Sequence, residues 1–407
     1  MRSQSKTESK MFLGYLASAA LGDILVSTNI FFLPILAVEV GGDVLEVGVV
    51  GGASYAVYAF MPFVMGRYSD TFRSKYRLLL LSFSIIAMVS LVYAFASNPY
   101  ELIAARLFEG IGWSMVWPVL QSGLVHLPGD KKRILSVYNS VWAATYASGP
   151  LIAGFLASLG SIRYVFYLTT LVAASGAILN LTFYNVETET EIETNNSEPD
   201  QRIELDQSST PQNKGDLRRY FLAVVVAAMA VGTTLTFFGP YARSVGMPIF
   251  ILGLVSAGYG FGRFVFFLLS VSGRFRSKIL HPRFKDALIV CLLILISALC
   301  VSFLVGDRIG GISFLAFLAI GSSYAVVVTI VQAITVAEAP GSQTGAIAGM
   351  LESSVGIGTF FGPVLAGAVA KYLSISPFYV PIFPMIFFII AFYFMKNKRR
   401  LEAKPTR

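Results

Sequence analysis

The chain has 407 residues, of which 55% are hydrophobic and only 13% charged, and its mean hydropathy is +0.69. A water-soluble globular protein carries about a quarter charged residues, so this composition excludes one and points to a protein embedded in a membrane. The net charge of +8 calls for no nucleic-acid partner, because most cations sit in short connections beside apolar runs, where the positive-inside bias places them.

Crossing about 30 Å of hydrocarbon takes roughly 20 apolar residues in a helix, and twelve windows qualify. In chain order they cover 11–37, 44–65, 78–96, 102–126, 135–158, 163–184, 220–242, 249–271, 287–305, 311–337, 343–370 and 377–395. The first follows Arg2, Lys6 and Lys10 but is longer than a signal-peptide core of about 7 to 15 residues, so it reads as a retained helix. An even number of spans puts both termini on one side. With that side taken as the cytoplasm, 25 of the 31 Lys and Arg fall in cytoplasmic tails and loops, against Arg163, Arg243, Arg308 and Lys371 opposite. The bias therefore predicts a multi-pass cell-membrane protein with both termini cytoplasmic.

Residues 186–218 hold nine of the 23 acids and no aromatic residue. Such a segment buries too little to offset its ordering entropy, which predicts a flexible cytoplasmic linker. It separates an N-terminal six-helix bundle, 1–185, from a C-terminal bundle and tail, 219–407. The halves are related. NSVWAATYASGPLIAGFLA (139–157) aligns without gaps on ESSVGIGTFFGPVLAGAVA (352–370), and Pro34, Gly48 and Gly66-Arg67 fall opposite Pro240, Gly253 and Gly273-Arg274. Gly149, Pro150 and Gly154, with Gly358, Gly362 and Pro363, read as helix-packing positions. Internal repeats flanking a midplane substrate site mark secondary transporters.

Three segments carry a family resemblance. GRYSDTFRSKYR (66–77) resembles the loop signature G-x-x-x-D-R/K-x-G-R/K-R/K through Gly66, Asp70 and the trailing cations, with Thr71 and Arg73 departing from it. RLFEGIGWS (106–114) resembles R-x-x-Q-G-x-G through Arg106, Gly110 and Gly112, with Glu109 at the Gln position. The two Gly-Pro segments resemble the antiporter motif G-x8-G-x3-G-P-x2-G-G. Gly149, Pro150 and Gly154 match it in the fifth window, and Gly349, Gly358, Gly362, Pro363 and Gly367 in the eleventh. On these residues the chain resembles the major facilitator superfamily, closest to its proton-coupled drug and metabolite transporters.

The resemblance implies an all-α fold of twelve transmembrane helices in two pseudo-symmetric six-helix bundles that move a small organic solute by alternating access. It implies that the loop holding Gly66, Arg67, Asp70 and Arg73 gates the exchange, and that Arg106 takes part in proton coupling. Export by proton antiport leads, uptake of a sugar or carboxylate by symport is the alternative, and a non-transporting sensor or integral membrane enzyme is remote.

A charge at the bilayer centre costs about 2.5–3.5 kcal/mol on insertion scales and is a functional candidate by default. Inside the windows lie Asp23, Arg106, Glu109, Arg263 and Glu352. Asp23, Arg106, Glu109 and Glu352 are the candidates for proton coupling, since an enclosed carboxyl can load and release a proton. Alternatively, Ser27 or a neighbouring helix's hydroxyls hold Asp23, and Arg106 neutralises Glu109 three residues on or snorkels outward. Arg263 either holds an anionic substrate or neutralises Asp23 or Glu352. Windows 3, 6, 9 and 12 carry no interior charge, and the resemblance makes them the lipid-facing helices.

Arg106, Glu109, Trp113, Trp117 and Gln121 share a stripe of about 120° on one helix, and Asn139, Trp142 and Tyr146 share a face of the next. With Tyr259, Arg263, Tyr324 and Gln332 they form the predicted substrate cavity, or else aromatic packing between helices. Tryptophans near mid-span favour a cavity, because interfacial ones sit at helix ends. Cys291 and Cys300 lie nine residues apart in one window, too far along a helix to bridge each other. No nucleotide, hydrolase or metal motif is present. The expected partners are a small-molecule solute, protons and the lipid bilayer, for a monomer that is not an enzyme, uses no cofactor or metal, and binds no nucleic acid.

Overall fold

The structure is a computed structural model that describes residues 2–65, 74–128, 131–195, 214–270, 285–302, 310–335 and 344–402, with 272, 278 and 281. Its twelve α-helices are α1 (Arg2–Glu39), α2 (Val44–Tyr58), α3 (Lys75–Phe95), α4 (Pro99–His126), α5 (Lys131–Ser158) and α6 (Arg163–Asn195), then α7 (Lys214–Ser244), α8 (Ile249–Ser270), α9 (Lys285–Ser302), α10 (Gly311–Thr335), α11 (Thr344–Leu373) and α12 (Ile382–Glu402). No strand occurs among the described residues. Each predicted window has its helix.

Local sequence sets several ends. Asp43 accepts from the Leu45 and Glu46 amides while Glu46 reaches back to the Asp43 amide, a capping box that starts α2. Asn98 caps α4, with Pro99 in its first turn. The twelfth window predicts a helix from 377, but Pro377 opens only a short 3-10 turn, Pro377–Tyr379, and α12 begins at Ile382. At the predicted linker α6 runs on to Asn195 and α7 starts at Lys214, while residues 196–213 lie outside the described set. So do Gly66, Arg67, Asp70 and Arg73.

The internal repeat is visible in the helix ends. Gly41 and Gly246 close α1 and α7 at φ 89° and 88°, a left-handed backbone that glycine adopts without strain. In both, the following amide reaches back five residues, Gly42 to the Ala37 carbonyl at 2.8 Å and Met247 to the Ala242 carbonyl at 2.9 Å. Packing repeats as well. α1 with α5, α2 with α4 and α3 with α6 recur as α7 with α11, α8 with α10 and α9 with α12. Across the halves α5 runs along α8, α2 along α11 and α1 touches α7.

Lipid gives helices no hydrophobic reason to associate, so close backbone approach at small residues holds them. A Cβ on Gly154 would stand 2.9 Å from the Gly253 Cα, and one on Gly48 would stand 3.3 Å from the Gly367 Cα. These two crossings are symmetry mates, since Gly48 aligns with Gly253 and Gly154 with Gly367. Gly149 and Gly362 repeat the pattern against Ile24 of α1 and Met229 of α7.

Among the described residues, eight helices are long and apolar enough to cross a membrane. α4 and α5 are not among them, because the polar and glycine positions they carry dilute their hydropathy. α1 and α7 are the most enclosed, whereas only a third of the span in α6 is buried. The apolar surfaces left exposed include Met88 and Phe95 on α3, Leu171 and Ile178 on α6, Ile294 on α9 and Phe387 on α12.

At the end away from the termini the halves are pinned by Lys371 donating to Asp43 at 2.6 Å. The Lys371 hydrogen bond and the α2 amides hold the Asp43 carboxyl below its ordinary range. A depressed pKa stabilises above the unfolded value of about 3.9 and is lost as pH falls through the folded one, so the link persists across neutral and mildly acid pH. Exposure of 38% and 42% limits its strength. Asp43→Asn therefore raises labelling of a Ser54→Cys probe from that side by about fivefold or less, a difference that lowering the pH from 7 to 5 leaves in place. Gly154→Val, which drives α5 off α8, lowers stability by about 1–3 kcal/mol, read as a lower melting temperature in detergent.

Candidate functional site

Eight helices, α1, α2, α4, α5, α7, α8, α10 and α11, enclose a cavity of about 120 Å³ between the halves. At roughly 10–15 Å³ for each water on the same measure, it holds a small water cluster or one compact solute. All ten predicted cavity side chains line it: Trp113, Trp117 and Gln121 from α4, Asn139, Trp142 and Tyr146 from α5, Tyr259 and Arg263 from α8, Tyr324 and Gln332 from α10. Asp23, Arg106 and Glu352 line it too. Glu109 does not.

The intramembrane charges divide into a satisfied group and an unsatisfied one. Arg106 pairs with Glu109 and donates through Nε to the Val50 carbonyl at 3.0 Å and through Nη2 to the Gly51 carbonyl at 3.2 Å. Glu109 also accepts from Asn29 Nδ2 at 2.7 Å and from the Tyr93 hydroxyl at 2.8 Å. This cluster ties α1, α2, α3 and α4 together and leaves neither ion bare. The geometry found for this pair is a buried ion pair, not an Arg106 that snorkels outward.

Glu352 bridges the halves. It accepts from the Tyr58 hydroxyl at 2.9 Å and from Gln121 Nε2 at 3.1 Å. Nearby, Asn139 Nδ2 reaches Gln332 Oε1 at 3.4 Å, again from one half to the other.

Asp23 and Arg263 are different. Asp23 is fully buried, yet neither carboxylate oxygen has a hydrogen-bond partner. Ser27, its expected holder, donates to the backbone carbonyl of Asp23 at 2.7 Å, one helical turn back, and leaves the carboxylate alone. The charges that act on Asp23 across the cavity are Arg263 and Glu352. Arg263 is 2% exposed, and its Nε and Nη2 are likewise unpartnered. Its guanidinium lies 3.5 Å over the Trp142 ring centroid, with Tyr146 at 4.8 Å and Tyr259 at 5.4 Å, a cation–π cage.

Aromatic rings continue this wall. Trp113 and Trp117 stack with planes 3° apart, and Trp117 meets Trp142 edge-on. All three tryptophans of the chain line the cavity. Tyr55, Tyr58 and Tyr138 also line it and escaped the sequence reading, because a tyrosine in an apolar run looks the same whether it packs or donates. Tyr58 and Tyr55 sit one turn apart on α2, the one periodic hint available. No group of three or more potential metal ligands occurs among the described residues.

Two repeated bundles around a buried polar cavity, reached by paired helices from each, define a membrane carrier fold. Residues 12–354 match the Major Facilitator Superfamily, and the chain belongs to that family, whose members carry small-molecule solutes across the lipid bilayer. An uncharacterized MFS-type transporter of Methanocaldococcus jannaschii is 24% identical over 374 residues, 88% of this chain and 91% of that one. A methylenomycin A resistance protein of Bacillus subtilis is 29% identical over 116 residues, 28% of this chain and 25% of that one. Among solved structures, the nucleoside transporter NupG superposes with a TM-score of 0.67 at 13% identity, covering 96% of this chain and 98% of that one.

Removing one member of a buried ion pair strands the other charge, at about 3–5 kcal/mol. Glu109→Ala is therefore expected to collapse the yield of folded protein. Tyr58→Phe, which deletes one hydrogen bond to Glu352, costs about 1 kcal/mol, and melting curves in detergent separate the two.

Proposed function

We propose that this chain is a secondary active transporter that exchanges protons for a small organic solute, exporting a drug-like compound or metabolite by antiport. The bundles 1–185 and 219–407, joined by a cytoplasmic linker at 186–218, rock about the cavity as a monomer in the cell membrane, with both termini cytoplasmic. The loop of Gly66, Arg67, Asp70 and Arg73 latches them. Asp23 and Glu352 carry the proton, and the Arg106–Glu109 pair holds α4 in register against α1 and α2.

One observation carries this reading: a fully buried carboxylate, Asp23, faces a cavity between the halves with no partner of its own. A structural acid would be hydrogen-bonded, whereas a coupling acid must be free to change its protonation. A proton crossing 100 mV releases about 2.3 kcal/mol, enough for roughly a fifty-fold solute gradient. The methylenomycin resistance relative and the Gly-Pro motifs support export. Uptake of a sugar or carboxylate by symport is the second reading, favoured by the nearness of Asp23 to Arg263, since a proton on Asp23 frees the guanidinium.

Everted vesicles decide between them. Adding a transported solute outside acid-loaded vesicles makes the lumen more alkaline under antiport, while symport acidifies it. Asp23→Asn is expected to keep downhill solute exchange and lose the pH response. A panel of solutes that moves with no pH change removes proton coupling altogether.

A further inference from the structure

The solute's chemistry is written in the edge of Arg263 that is buried without a hydrogen-bond acceptor. A guanidinium stacked on an aromatic face can form hydrogen bonds only in its own plane, and Trp142 at 3.5 Å takes up that face. The two unpartnered nitrogens, Nε and Nη2, lie on one side of the fork and point their N–H groups the same way. That edge receives a carboxylate through two parallel hydrogen bonds. Among the described residues no acid hydrogen-bonds those two nitrogens, and Asp23 acts on Arg263 through its charge alone. Glu352 is engaged by Tyr58 and Gln121, Glu109 is closed off by Arg106, Asn29 and Tyr93, and Asp23 makes no hydrogen bond.

Resting on the carrier reading above, we infer that the transported solute is a monocarboxylate attached to a flat, aromatic-like ring. Its carboxylate sits on the Nε/Nη2 edge of Arg263, and its ring lies along the wall formed by Trp117 and Trp113. Both tryptophans line the same cavity as Arg263 and connect to its Trp142 platform through edge-on contact. The site selects charge sign through one fork and shape through one wall. A neutral analogue leaves the buried N–H pair unsatisfied, which is the strongest form of discrimination a pocket has.

The test is equilibrium binding to the full chain in lipid nanodiscs, using radiolabelled benzoate, cinnamate and indole-3-carboxylate, competed by their amides and by benzylamine. Saturable binding of at least one carboxylate is expected, with its amide and benzylamine at least about tenfold weaker. Arg263→Gln is expected to abolish it. Arg263→Lys, which keeps the charge but loses the fork, weakens it roughly ten- to hundredfold and serves as the readout should the glutamine variant fail to fold. The inference is overturned if no carboxylate binds, if the amides compete equally, or if Arg263→Lys binds like the wild type. Proton-coupled flux of a non-carboxylate without carboxylate binding overturns this inference and leaves the carrier reading standing, whereas carboxylate binding with solute flux that moves no protons removes proton coupling and leaves this inference standing.

Discussion

A charge inside hydrocarbon persists only where the protein supplies its counterion, its hydrogen bonds or a wet cavity. This constraint sorts the five intramembrane charges of the chain into two kinds. Arg106 and Glu109 receive backbone carbonyls, an amide, a hydroxyl and each other, so they act as a strut binding four helices. Asp23 makes no hydrogen bond, and Arg263 rests on the rings of Trp142, Tyr146 and Tyr259 with Nε and Nη2 unpartnered; both line the cavity between the halves. Glu352 stands between these extremes, held by one side chain from α2 and one from α4.

Around that centre the scaffold is twofold and the chemistry is not. The glycine crossings of α5 on α8 and α2 on α11 are related by the internal repeat, and so are the left-handed glycines that end α1 and α7. These positions carry no side chain, so duplication preserves their role in either half. The cavity residues are distributed unevenly. The tryptophans all come from the first half and Arg263 from the second, so the site exists only when both bundles face each other.

Much of the site was legible because helical periodicity projects a stripe onto one face. Trp113, Trp117 and Gln121 on α4, and Asn139, Trp142 and Tyr146 on α5, line the cavity that their spacing predicts. Glu109 shares the α4 stripe, yet it turns toward Asn29 and Tyr93. A helical wheel resolves angle only to about one residue step, and a position on the edge of a stripe is claimed by whichever neighbour offers a partner. Tyr58 and Tyr138 stayed invisible for the converse reason, since the partner that gives Tyr58 its role, Glu352, is 294 residues away.

By itself the sequence determined that the chain is a membrane protein, that it holds twelve helices and that its halves repeat. Hydropathy, charge placement and local glycine and proline chemistry act over tens of residues and need no knowledge of neighbours. The tertiary structure alone decided which buried charges find partners. That Glu109 also meets Asn29 and Tyr93, that Glu352 meets Tyr58 and Gln121, and that Nε and Nη2 of Arg263 are left without an acceptor all depend on contacts between helices far apart in sequence, fixed by how closely their backbones approach.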